Sequence, residues 1–572
     1  MMTTNQFLRS IAALTALASF ATAQFPAGPA EILYINSPGH PTNVVPGTGL
    51  PFNAGGTSTS AVIRPWFSQD ESQFVIEVFA DSPVTTNDDC YLKNGALLMR
   101  EGDPTPWNPL ELWGTLDDDV GLANSGDVLV TQNTSLTTND DIVARFTAGV
   151  WSELAREGGL VDPFVPSLAG ALWDDGMDTP RLAGGQSLWH SDLVDFVPAI
   201  TIGDEFSLLP SGGIVREGFD IPAGQAGGGT FRWENFTVGE TYVNDSGSVM
   251  LVLGDTDNPA TADDQILAVN GVVVLQENQI IAGSSFVNPI DLSGIVQAWL
   301  DNADAWWARG NNDVTEDDWV VRNGIVIVTS DGTSEVVPGS GEFFSDATFG
   351  DCFFAMDGSV SGAWVIGAVT NNVDPQRDGV IVYDDGLGNR QVLAREGDPI
   401  DVNGNGLFDD DRFFNTFGND DVILLESGHV VFTATVENGL GAAVEHGLFR
   451  IKINGATCVR RNGTGINPLT CECTTLPVSG TNLVITVGLD PATVLTFVAV
   501  AGAPIPATPL FGGELLVDPL ADIFTSTGTH TFSLPPAPAL FGQTAYLQGA
   551  RLDSTGGGTF VLLNAIDVKI GL

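Results

Sequence analysis

The segment Asp401-Val402-Asn403-Gly404-Asn405-Gly406-Leu407-Phe408-Asp409-Asp410-Asp411 sets oxygen donors at intervals that suit a divalent cation. Asp401, Asn403 and Asn405 stand at the first, third and fifth places of a calcium loop, the Leu407 carbonyl at the seventh and Asp409 at the ninth, with Gly406 at the sharp turn. The twelfth place, where a bidentate acid belongs, holds Arg412, so Asp410 or Asp411 has to substitute. The expected metal set is therefore Asp401, Asn403, Asn405, Leu407, Asp409 and Asp411, with Ca2+ as the ion; the competing reading is a plain polar turn. Asp255-Thr256-Asp257-Asn258 with Asp263-Asp264 has no comparable spacing and reads as a solvated turn.

No catalytic or cofactor-binding residue stands out. The histidines (His40, His190, His429, His446, His530) show no metal or relay spacing, and no nucleophile elbow or phosphate loop occurs in a strand-turn-helix context. Trp306-Trp307 could form a sugar-stacking platform, although a buried core role is the simpler expectation. Cys471-Glu472-Cys473 is too short and isolated for zinc.

The elements that would carry such residues are set by a repeat. Apolar runs end in Arg100-Glu101-Gly102-Asp103, Arg156-Glu157-Gly158, Arg216-Glu217-Gly218, a weakened Gln276-Glu277-Asn278, and Arg395-Glu396-Gly397-Asp398. The spacing is close to 60 residues, which signals an array of similar supersecondary units. Asn94-Gly95, Asn270-Gly271 and Asn323-Gly324 each precede a marker, the third leading to a degenerate one at Thr329. Such turns between β-branched runs predict hairpins, because both turn residues take positive φ. A seventh marker is placed at Arg460, after Asn454-Gly455. Asn124-Ser125-Gly126, Asp245-Ser246-Gly247 and Glu426-Ser427-Gly428 start further strands. About four strands per unit predict a β-propeller-like array of seven units, six as the fallback, over residues 24–465; a β-solenoid is the structural alternative. Ile295-Val296-Gln297-Ala298-Trp299-Leu300 is a short stretch of helical period. The Arg-Glu pairs and Asn-Asp-Asp steps, present in unit after unit, are expected to brace blades rather than to catalyse.

Residues 1–23 read as a secretory signal peptide: Arg9, an apolar run from Ile11 to Ala18, and Ala21-Thr22-Ala23 before Gln24. No later run is long enough for a membrane span. A net charge of -50, from 71 acidic against 21 basic residues, excludes nucleic acid as a partner and favours cations and basic partners. Cys458 is expected to pair with Cys471 or Cys473 in a linker at 466–475, and Cys90 and Cys352 to be buried. Residues 476–572 hold alternating runs at Leu483–Val487, Val494–Val500 and Thr544–Ala550 between Pro/Gly turns, which predict a small β-sandwich. The Pro-rich run 503–509 suits a loop or edge.

The Arg-Glu-Gly-Asp phrases and Ser-Gly strand starts resemble a group of secreted tandem-repeat proteins of planctomycete bacteria. The tail, with Gly542-Gln543-Thr544-Ala545-Tyr546-Leu547-Gln548-Gly549-Ala550 and Leu563-Asn564-Ala565-Ile566-Asp567-Val568-Lys569-Ile570-Gly571, is similar to a C-terminal module of their exported proteins. The resemblance implies architecture and location, not an activity. The expected function is a secreted or cell-surface, non-enzymatic binding scaffold, calcium-stabilised, recognising an extracellular protein or polysaccharide through the propeller face. The alternatives are a secreted propeller enzyme (a glycoside hydrolase or polysaccharide lyase) and repeat cargo carrying a C-terminal sorting or attachment module.

Overall fold

Alternating apolar runs divided by turns become antiparallel sheets throughout. The computed structural model describes residues 30–571 except 39, 54–61, 83–86, 117–118, 175, 195–204, 211–213, 285, 313–316, 346–350, 389, 404–409, 454–456, 476, 478–481, 535–542 and 555–557. The signal-peptide reading at 1–23 and the candidate ligands Asn405, Leu407 and Asp409 lie outside the described residues. The strands fall into two compact units, Ile32–Gly397 with Phe414–Arg450, and Asp398–Phe413 with Ile451–Leu572.

The first unit is a seven-bladed β-propeller. Six four-stranded sheets follow one another along the chain, each built from consecutive strands, as in Val62–Phe67, Phe74–Phe79, Asp89–Lys93 and Ala96–Arg100 of the first blade. The seventh sheet has five strands and is assembled differently: Phe413–Phe417 and Ile423–Leu425 both pair with His429–Glu437, Ala443–Lys452 follows, and Glu31–Ile35, from the other end of the described chain, completes it. That strand occupies the outer edge, so the first and last parts of the propeller close the ring together. The marker placed at Arg460 is corrected accordingly. Arg460 lies on Thr457–Arg461, which pairs with Thr559–Lys569 in the C-terminal unit, and the seventh blade needs no fourth strand from that stretch. The long C-terminal segment of the second unit thus starts at Ile451, ahead of the 465 boundary read from sequence. Ile295–Leu300 is also strand, within Ile290–Leu300, because its apolar residues are used on both faces of a sheet edge.

The repeated phrase is structural circuitry. In the Asn-Gly turns both residues take positive φ (Asn94 49° and Gly95 78°, Asn270 50° and Gly271 74°, Asn323 49° and Gly324 78°), joining third strand to fourth. The marker side chain donates to a carbonyl at the start of the third strand: Arg100 to Asn87, Arg156 to Asn139, Gln276 to Asp263 and Arg395 to Arg377. The following Glu takes the backbone N–H of the same step, Glu157 from Asp140, Glu277 from Gln265 and Glu396 from Gly379, at 2.9–3.1 Å. The marker also holds the chain arriving from the previous blade: Arg156 pairs with Glu111 at 2.8 Å and Arg395 with Glu342 at 2.8 Å. The next residue, with φ 77° at Gly102, 72° at Gly158 and 65° at Gly218, donates to the carbonyl of a buried tryptophan leading into the next blade: Trp113, Trp173 and Trp233. These tryptophans are 60 residues apart, a periodicity as regular as the marker itself.

In the C-terminal unit a five-stranded sheet (Thr457–Arg461, Thr559–Lys569, Thr544–Asp553, Thr493–Ala501, Asp522–Ser526) faces a three-stranded one (Cys471–Cys473, Asn482–Val487, Thr529–Ser533). Leu483, Ile485 and Val487 from one sheet pack on Val498, Leu547 and Leu563 from the other, which makes a β-sandwich. Residues 466–475, read as a linker, contribute the strand Cys471–Cys473. The Pro-rich run forms Pro504–Leu510 in a two-stranded hairpin, where missing N–H donors cost least. Cys458 bonds to Cys473, while Cys471, Cys90 and Cys352 are buried and outside the disulfide. A crosslink closing a loop of this length contributes about 3 kcal/mol. Cys458→Ser will therefore lower the sandwich melting transition and leave the propeller transition in place, measured by calorimetry.

Candidate functional site

The first strand of every blade lines a central channel, and turn position aligns these strands with one another. Each ends at a tight turn starting at Ser68, Ala123, Ala183, Asn244, Asp301, Ser359 or Leu425. Four residues earlier stand Arg64, Asp119, Thr179, Glu240, Gln297, Ala355 and Asp421, and two residues earlier Trp66, Gly121, Arg181, Tyr242, Trp299, Asp357 and Ile423. A narrow cavity of about 150 Å³ is lined by Trp66, Arg181, Tyr242, Trp299 and Asp357, together with Arg64 and Asp119. A wider one of about 720 Å³ also includes Arg64 and Asp119, and carries Thr179, Asp140, Asp141, Glu157 and Asp178.

These residues mostly reach forward to the next blade. Arg181 donates to the carbonyls of Thr241 at 2.8 Å and Gly239 at 3.1 Å, pairs back to Asp119 at 2.6 Å, and lies over the Tyr242 ring at 4.6 Å. Glu240 accepts from Ala298 N–H at 2.8 Å, Trp299 donates to Asp357 at 3.2 Å, and Asp357 accepts from Leu424 N–H at 2.8 Å. Arg64 breaks the pattern. Its guanidinium lies 5.9 Å from the Trp66 ring centroid and has no hydrogen-bond or ion-pair partner among the described residues. Burial works against its charge, but Tyr242, Asp119, Asp421 and Asp420 outweigh that and hold it protonated above the usual range. Burial pushes Glu240, Asp357 and Asp421 up to about 7, against their N–H or hydroxyl donors. The channel thus combines carboxyls that accept from neighbouring blades and are held above their ordinary range with an arginine that has no hydrogen-bonded partner among the described residues.

One mouth is closed. The turn after the first strand of blade one crosses to three other blades: Gln69 donates to the Asn302 carbonyl at 3.1 Å and Asp304 at 3.3 Å, Asp70 N–H to Asn124 at 2.9 Å, and Glu71 accepts from Ser427 N–H at 3.1 Å. Glu71 takes φ 59°, a conformation a non-Gly residue holds only when its contacts demand it. Glu71→Ala will lower the propeller's urea midpoint by the equivalent of about 1–2 kcal/mol, by loss of its two backbone partners, the Glu426 and Ser427 N–H groups, at a ring-closing turn.

The sequence-derived metal set is only partly placed. Asp410 accepts from Val402 N–H at 2.7 Å, from Asn403 N–H at 2.9 Å and from the Asn403 amide, so it closes the loop on itself. Asp401, Asn403 and Asp411 are described, with Asp411 at φ 55°. No group of three His, Cys, Asp or Glu side chains disposed to hold a metal occurs among the described residues. Trp307 is fully buried and donates to Asp301 at 2.8 Å, which makes it core. The channel residues escaped the sequence reading because no motif marks them. Counting back from the aligned turns would have found them.

The fold and channel define an all-β propeller with a C-terminal sandwich. No known family profile matches the chain, and no curated protein matches it. Among solved structures it is similar to a fungal alcohol oxidase in complex with copper (10% identity over 91% of this chain and 100% of that one, TM-score 0.28). It is also similar to the polysaccharide lyase Uly1 (10%, 69% and 77%, TM-score 0.26) and to a neuraminidase-like protein of a flat-faced bat strain (10%, 76% and 97%, TM-score 0.28). At such TM-scores these likenesses carry no argument about chemistry. No helix among the described residues is long and apolar enough to cross a membrane.

Proposed function

We propose that this is an exported, non-enzymatic binding protein that recognises an extracellular polysaccharide or protein at the open mouth of the propeller. The observation that supports this most is the blind channel. It combines aromatic surface (Trp66, Tyr242, Trp299) with both donors and acceptors (Arg64, Asp119, Thr179), the mixture that hydroxyl-rich ligands need. Many of the remaining polar side chains in the channel are occupied in holding blades together, which suits a fixed receptor. Affinity electrophoresis of the full chain through gels containing individual polysaccharides, with reducing ends assayed in parallel, tests the reading. Retardation without new reducing ends is expected. New reducing ends that disappear in Glu240→Gln would establish the glycosidase alternative instead.

Calcium binding at Asp401, Asn403, Asn405, Leu407, Asp409 and Asp411 belongs to the same proposal as a stabilising element. Added calcium is expected to raise the Tm of the EDTA-treated protein, and Asp401→Ala to abolish the rise. An equal Tm with and without calcium in the parent chain would reduce the segment to an ordinary turn.

A further inference from the structure

Arg64 is the channel arginine with no carboxylate within ion-pair distance among the described residues. Among the described residues, Arg181 is paired with Asp119 at 2.6 Å, and Arg322, just outside, with Asp301 at 2.7 Å. Desolvating a guanidinium without a partner is costly, and a planar fork of N–H donors is matched best by a carboxylate taken bidentately. The groups facing Arg64 are Asp119 from blade two, Glu240 and Tyr242 from blade four, and Asp420 and Asp421 from blade seven. Asp119 is engaged by Arg181, Asp421 by the Thr433 hydroxyl at 2.6 Å, and Glu240 by Ala298 N–H. They keep Arg64 charged, and none of them takes a hydrogen bond from its guanidinium.

We infer that Arg64 anchors the carboxylate of an acidic sugar that caps an otherwise neutral glycan, held at the floor of the blind channel. This rests on the binding reading above and specifies its ligand. Two further features give the ligand its form. The mouth beyond is closed by the Gln69–Ser72 turn, so the channel admits a chain end and not a chain passing through. The net charge of -50 repels a polyanion from a distance, so a glycan charged along its length is disfavoured while one carrying a single terminal acid is not. The aromatic rings of Tyr242 and Trp299, 5.0 Å apart, supply apolar surface for the sugar body, and the wider outer cavity takes the neutral residues that follow.

The test is calorimetric titration of the full chain with a trisaccharide ending in non-reducing glucuronic acid, and with the same trisaccharide whose carboxyl has been reduced to the alcohol. The acidic form is expected to bind at least about tenfold tighter, the value of one charge-assisted contact. Arg64→Ala is expected to bring the two ligands to equal affinity, and Arg64→Lys to keep part of the preference; a Tm matching the parent's shows each variant is folded. Equal binding of both trisaccharides by the parent chain, or an undiminished preference in Arg64→Ala, would overturn the assignment of the carboxylate while the glycan-binding reading stands. Failure of the parent to bind either trisaccharide, with retention of a neutral polysaccharide in gels, overturns the inference alone. Failure to bind any saccharide removes the inference together with the polysaccharide form of the reading above.

Discussion

Replacing Glu342 by Ala will destabilise the propeller by about 3–5 kcal/mol, the cost of leaving a buried charge without its partner. Both carboxylate oxygens of Glu342 accept from Arg395 at 2.8 Å, and one also accepts from the Thr370 hydroxyl at 2.7 Å. Arg395 retains 2% of its exposure, so after the substitution water cannot take the carboxylate's place without opening the blade. Glu342 sits in the connection leading into blade six, and Arg395 ends that blade's outer strand. The pair therefore decides whether the connection stays docked. Glu342→Gln keeps the shape and acceptor oxygen and should recover part of the loss. Urea unfolding followed by tryptophan fluorescence measures it. A change below about 1 kcal/mol, the range of exposed pairs, would mean the marker arginine is not a brace.

Raising the pH from about 5 to about 9 will lower the propeller's Tm, on the order of 10 °C, although the protein is strongly acidic. Six carboxyls are held well above their ordinary range: Asp89 and Glu396 up to about 8, and Glu240, Glu277, Asp357 and Asp421 up to about 7. Burial is the leading cause in each, joined at Glu396 and Glu277 by a hydrogen bond to a second carboxyl, Asp378 and Asp264. A folded pKa above the unfolded one means the native state keeps a proton that the unfolded chain has released. The stability so gained is complete below about pH 4, the ordinary carboxylate value, and is lost as pH climbs through 7 to 8. Glu342 works the other way at the acid end: burial opposes its charge, but Arg395 and Thr370 hold it below its ordinary value, so its contribution fades as pH falls through that lowered pKa. Melting curves at constant ionic strength check the slope, and Glu396→Gln should flatten it. A Tm that is level or rising over this range would show that the acids ionise freely in the folded protein.

The propeller was legible in the sequence because its punctuation is local. Asn94-Gly95, Asn270-Gly271 and Asn323-Gly324 need positive φ on both residues, and few other turns accept that demand. The marker Arg and Glu were readable as braces because a charge pair repeated in blade after blade answers a need every blade shares. Ring closure was not legible. The outer strand of blade seven comes from Glu31–Ile35, far away in sequence, and Asn454-Gly455 offered a false local substitute. The channel was hidden for the opposite reason. Its residues differ from blade to blade (Arg64, Asp119, Thr179, Glu240), so repetition, the signal that revealed the fold, is absent where recognition is proposed. Cys473 rather than Cys471 as the partner of Cys458 was likewise not legible, because the two stand two residues apart on one strand and share a face, Cys471 fully buried in the core and Cys473 half-buried beside Cys458.

The most direct test of ligand recognition in the open channel is a crystal structure of the full chain grown with the glucuronic-acid-ended trisaccharide. The account predicts sugar density between Tyr242 and Arg64, its remaining residues leaving past Asp119 and Thr179. Ligand bound on the outer strands or on the C-terminal sandwich, with the channel holding solvent alone, would contradict it.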